Sequence, residues 1–190
     1  MTALTSRLHR NLDDSSDTAP QEAGATIGTL AGWQGESACC FGGGRFGAAT
    51  IGQVITAPEG VTALRRFSFV LKLPASLAFR GEVYGWDGHT ASGSALFESP
   101  STMTSGENDF QEITFVTPDA SVVAGQHYVL FITTAGLADV DGQAGAFGLG
   151  PAPDGEGFVY RNDRGDARSW TTTPWQPGHA DLAFEARFSS

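Results

Sequence analysis

Two kinds of residue in this 190-residue chain could do chemistry: carboxylates on alternating runs, and flat aromatic rings. Glu82 and Glu112 both fall at outward-looking positions of strand-like stretches. A facing pair of carboxyls about 5 to 10 Å apart is what glycoside hydrolysis needs, one as acid and the other as base or nucleophile. Charges solvated on a strand surface explain the same two residues better, because glutamate is mostly exposed. The rings are Trp33, Trp86, Trp170 and Trp175, with Tyr84 two residues before Trp86. Broad, rigid, apolar faces of this kind stack on sugar rings. Tyr84 and Trp86 share one side of a run, and Trp170 and Trp175 bracket a Thr-rich loop. Those four are the candidate ligand-binding residues, with packing as the competing use of the same rings. Asp139, Asp141 and Asp154 lie in a glycine-rich stretch and could supply oxygens to calcium. The fragment DVDGQ places acids at alternate positions but lacks the rest of an EF-hand. No other cofactor is implied.

Other chemistries lack their patterns. His9, His89, His127 and His179 lie far apart with no metal spacing, and His127 suits a hydrogen-bonded structural role. No Gly-x-Ser-x-Gly elbow occurs. Gly42 to Gly44 are consecutive glycines without the Gly-Lys-Ser/Thr ending of a phosphate cradle, so a tight corner explains them. Cys39 and Cys40 are adjacent, and the usual Cα separation of a disulfide exceeds that of consecutive residues. Small apolar wall residues or free thiols are therefore expected, with a vicinal disulfide as the alternative.

The chain is organised around Leu64 to Gly88. Phe67, Phe69, Leu71 and Leu73 alternate with Arg66, Ser68 and Lys72. After a Pro-Ala-Ser corner, Leu77, Phe79, Gly81 and Val83 alternate with Arg80, Glu82, Tyr84 and Trp86. Period two means strands with one buried face, and the short link predicts that the two pair as a hairpin. Further strands are expected at 25–33, 50–57, 95–98, 110–117, 126–134, 157–162 and 181–188. Residues 36–49 and 135–156 read as loops. The expected fold is all-β: an antiparallel, jelly-roll-like sandwich of two sheets and about nine strands.

Residues 1–24, rich in Asp, Ser, Thr and Gln, read as a flexible acidic and polar leader, with the sandwich over 25–190. No apolar stretch follows Arg7 and Arg10, so the leader is not a secretory signal. No run approaches the roughly 18 apolar residues of a membrane span. Hydrophobic residues at 41% and a length of 190 residues suffice for one self-supporting core. The formal charge of −10 repels phosphate backbones, which argues against nucleic acid and anionic membranes as partners.

The ordered set IGTLAGWQG, GQVITAPEG, VYGWDG, SALFES, AGQHYVLFITTAG, GFVYRNDRGD, TTTPW and DLAFEARF resembles a bacterial family of extracellular sandwich domains. The family is found in proteins with PEP-CTERM-type sorting tails. The resemblance spans about residues 26 to 189. It implies a surface or extracellular setting and a sandwich fold, and it assigns no activity. An export signal and an apolar anchoring tail after Phe188 are not seen in this sequence. Two functions are expected: a non-catalytic surface module that binds glycans through its aromatics, or a self-associating structural subunit that uses sandwich contacts or an exchanged N-terminal arm.

Overall fold

The computed structural model describes residues 24–42, 48–73, 77–104, 106, 109–137, 145–151, 157–161 and 167–190. The leader, Gly24 apart, lies outside them. Among the described residues are thirteen strands: β1 (Thr26–Gly28), β2 (Ser37–Phe41), β3 (Thr50–Thr56), β4 (Ala63–Lys72), β5 (Ala78–Trp86), β6 (Ala91–Glu98), β7 (Thr102–Met103), β8 (Gln111–Ser121), β9 (His127–Thr133), β10 (Gly145–Gly148), β11 (Phe158–Arg161), β12 (Gln176–Pro177) and β13 (Phe184–Ser189). Two short 3₁₀ turns, Leu30–Gly32 and Ala167–Thr171, complete the set.

The strands form two antiparallel sheets. In the first, β4 is central, with β8 along one edge and β13 then β10 along the other; β1 extends β13 and β2 extends β10. The second runs β12-β11-β3-β9-β5-β6, with β7 also on β5. The alternating phenylalanines face inward, as their spacing requires: Phe67, Phe69, Phe184 and Phe188 are all buried in one core between the sheets. Phe67 stacks on Phe115 at 4.9 Å, so neighbouring strands of the first sheet share one aromatic layer. Phe115 also lies over Gly81 in the opposite sheet, where a Cβ would come within 2.6 Å of its ring. Any side chain at position 81 would part the sheets locally.

The central pair departs from expectation. β4 and β5 do not pair: β4 belongs to the first sheet and β5 to the second. Alternation shows only that each strand has an apolar side. A hairpin would put both apolar sides on one surface, whereas crossing sets them face to face across the interior. The hairpin partner of β5 is β6, joined through Asp87, Gly88, His89 and Thr90, with Gly88 at φ +102°. The Asp87 carboxylate accepts from the amides of His89 and Thr90 and from the Thr90 hydroxyl, which fixes the turn.

Strands also occur where loops are expected. β2 falls within 36–49 and β10 within 135–156; both are short, and β10 links β2 to β4. β8 continues past Pro118, which breaks no ladder because β8 pairs only with β4 among the described residues. Cys39 and Cys40 form a disulfide rather than free thiols. Their Cα atoms lie 3.2 Å apart across a cis peptide, inside the separation assumed for neighbours joined by a trans bond.

Candidate ligand groove on the outer face of the second sheet

Period two sends Arg80, Glu82, Tyr84 and Trp86 to the face of β5 that points away from the core. Val129 and Phe131 of β9, Val54 of β3 and Val159 of β11 lie on that face too and form a second apolar cluster with Trp170 and Trp175. An outer face that apolar needs a cover, and the segment from Ala167 to Trp175 provides it. Arg161 fastens this strap by donating to the carbonyls of Ser169 and Thr173. Trp170 meets Phe131 at 4.8 Å and Tyr84 at 6.1 Å, both edge to face. The Trp175 indole donates to the Trp170 carbonyl at 3.0 Å, and its amide donates to the His89 carbonyl at 2.9 Å.

The strap divides the face in two. Under it, Arg80 and Glu82 are shut in as a pair; Arg80 also reaches the exposed Glu98 at 3.5 Å, and its guanidinium lies 5.8 Å from the Trp170 ring centre. Glu82 is buried, with 1% of its side chain exposed, so it is not the solvated strand charge expected from sequence. Desolvation raises its pKa to about 7, more than the Arg80 hydrogen bond and charge lower it. Burial also raises the Tyr84 phenol, with smaller contributions from Glu82 and Glu98.

Beyond the strap the face stays open. A groove of about 710 Å³ is lined by Val54, Trp86, Asp87, His89, His127, Val159, Trp175 and Pro177. Trp86 meets Trp175 edge-on at 5.9 Å, which props the half-buried Trp86 ring against a fixed neighbour. Its indole N–H has no hydrogen-bond partner among the described residues. Hydrogen bonds from the Thr90 and His89 amides hold the Asp87 carboxyl below its ordinary pKa, so it stays an anion and an acceptor. His127, on the neighbouring strand β9, is exposed and also lines the groove, its Nδ1 3.2 Å from the Thr56 hydroxyl.

Of the four aromatic candidates, Trp170 and Trp175 are 2% and 5% exposed and serve as packing. Tyr84 is half-buried beneath the strap, and Trp86 presents its ring to the groove. Trp33 lies elsewhere, against Phe110 at 5.5 Å. Glu82 and Glu112 belong to different sheets, β5 in one and β8 in the other, so they cannot flank one glycosidic bond. The calcium candidates Asp139, Asp141 and Asp154 lie outside the described residues. Among the described residues no three His, Cys, Asp or Glu side chains gather as a metal site. Sequence reasoning missed Arg80 and Arg161 as anchors of the strap, and His89 and His127 as groove walls. The signal for His89 was present in the Asp-Gly turn, which returns the chain beside Trp86.

No protein-family model and no curated protein matches this sequence. Among solved structures, the chain is similar to the cysteine protease and lectin-like domains of Cwp84, a surface layer associated protein of Clostridium difficile. That match has a TM-score of 0.47 at 10% identity and covers 74% of this chain and 32% of that one. A second structure of the clostridial Cwp84 protease, after propeptide cleavage, matches with a TM-score of 0.48 at 10% identity, covering 74% and 36%. The chain thus spans about a third of the length of these relatives in structure. The chain itself is an all-β sandwich of two antiparallel sheets.

Proposed function

We propose that this chain is a non-catalytic surface or extracellular module that binds a saccharide in the groove between Trp86, His89 and His127. The observation that carries the reading is the half-buried Trp86 ring, propped by Trp175 and ringed by an ionised Asp87 and two imidazoles. A pyranose has apolar C–H faces and a polar rim, so it wants one fixed ring beneath and hydrogen-bonding groups at the sides. The groove supplies both. The surface setting follows from the resemblance of the strand motifs. A glycan array followed by calorimetry tests the proposal. Binding should appear in the millimolar to micromolar range and weaken at least about tenfold in Trp86→Ala, the loss of one stacked ring being worth about 1.4 kcal/mol or more. Absence of any sugar binding at millimolar ligand removes the proposal.

A second reading, self-association, has its own support. The long edge strand β8 carries Val116, 66% exposed, and nearby β7 carries Met103, 64% exposed. Unpaired edges of this kind are templates for another strand.

A further inference from the structure

A second cavity, which meets the groove at Pro177, opens at the edge of the sandwich between the two sheets. Cys39, Cys40 and Phe147 line it from the first sheet, Ile51, Phe158 and Tyr160 from the second, with His179 also on its wall. Its volume is about 340 Å³, within the range of small-molecule sites. The aromatic wall is one connected set. Phe147 meets Phe158 edge-on at 5.4 Å, and Phe158 meets Tyr160 at 6.1 Å.

The other wall depends on an irregularity. Along β2, Phe41 pairs with Gly145 and Cys39 with Ala146, so Cys40 is the extra residue of a bulge. In a regular strand, neighbouring side chains point to opposite faces. Bulges re-aim them, and here both cysteines line the same cavity. Joined as a disulfide, they offer no thiol hydrogen, only soft, polarisable sulfur suited to contact with rings. Among the lining side chains, polar capacity is confined to the Tyr160 hydroxyl and the His179 imidazole, neither of which has a hydrogen-bond partner among the described residues. A saccharide, polar around its whole rim, would strand most of its hydroxyls here.

We propose that this cleft binds a phenol-class small molecule, with its apolar ring between the Cys39–Cys40 disulfide and the Phe158–Tyr160 wall. Its hydroxyl hydrogen-bonds to Tyr160 or His179. The proposal does not depend on saccharide binding in the groove.

Titration of the isotope-labelled full chain with p-cresol, followed by amide NMR shifts, tests it. Saturable shifts should cluster at 38–41 and 158–160, with a Kd of about 1 mM for a ligand of this size. Ala48→Leu, which adds bulk on the cavity wall, should weaken binding about tenfold or more while distant resonances stay in place. The Cys39→Ser/Cys40→Ser double variant should weaken it similarly, and inositol, a ring polar all round, should give no clustered shifts. The proposal is overturned if shifts fail to saturate by about 20 mM or scatter over the surface. Should Ala48→Leu fail to fold, undiminished binding by the double serine variant overturns it equally.

Discussion

At the scale of single residues, Glu82 carries the clearest consequence. Sequence periodicity puts it on the outer face of β5, and it is there; what periodicity omits is that the strap covers that face. Unfolded, its carboxyl titrates near 4.5; folded, near 7. Between those values the folded chain keeps a proton that the unfolded chain has released. Stability therefore falls as pH rises through this window, by up to about 3 kcal/mol from this group once above pH 7. Asp181, raised chiefly by burial against the pull of its Gln53 hydrogen bond, acts in the same direction from 3.8 upward. Glu185 acts oppositely: the Arg187 hydrogen bond lowers its pKa, so its contribution is present above 4.5 and lost as pH falls below. Denaturant midpoints measured from pH 5 to 8 should decline less in Glu82→Gln than in the parent. Parallel profiles for the two proteins would show that Glu82 is not the group responsible.

At the scale of elements, one cation ties down the backbone of the strap. Arg161 is 8% exposed, sits on the outward side of β11 beside the covered face, and reaches two carbonyls of the strap. Hydrogen bonds to a charged donor contribute roughly 1.5–3 kcal/mol each. Arg161→Ala should release the strap before the sheets unfold. Hydrogen exchange at 169–175 should quicken, and tryptophan emission should shift to longer wavelength as Trp170 and Trp175 meet water. Unchanged protection of that segment would mean that ring packing alone holds it. Fastening of this kind has little sequence signature. The run Phe158–Arg161 alternates well enough to announce a strand, but nothing in it says what Arg161 grips. β2 and β10 were hidden for a related reason. They are short, glycine- and cysteine-rich strands that stabilise each other across a hundred residues, so neither carries a pattern of its own. The disulfide stood only as an alternative because no local motif marks it.

At the scale of the molecule, the sandwich was legible because phenylalanine spacing declares an inner face, and Phe67, Phe69, Phe184 and Phe188 supply the core that it promised. Strand pairing was not legible, since an apolar side may face across the interior or lie beside its neighbour. The outer margin of β8, unpaired among the described residues, bears on assembly. If β8 pairs between copies, a charge in place of its exposed valine should break the contact. Size-exclusion and light scattering over a hundredfold concentration range should then show association in the parent and none in Val116→Lys. A parent that stays monomeric throughout removes the self-assembly reading.

The placement of β4 and β5 in opposite layers also governs how the chain can be made. Among the described strands, only β5 with β6 and β7, and β11 with β12, find partners close by in sequence. Phe67 must wait for Phe115 on one flank and Ala186 on the other. A ribosome delivering this polypeptide from its N-terminus has therefore exposed β4 long before the strand that closes over it leaves the exit tunnel. Folding of such a topology is slow, on the order of milliseconds to seconds, and during synthesis the half-built phenylalanine core stands open to whatever else is in the cell.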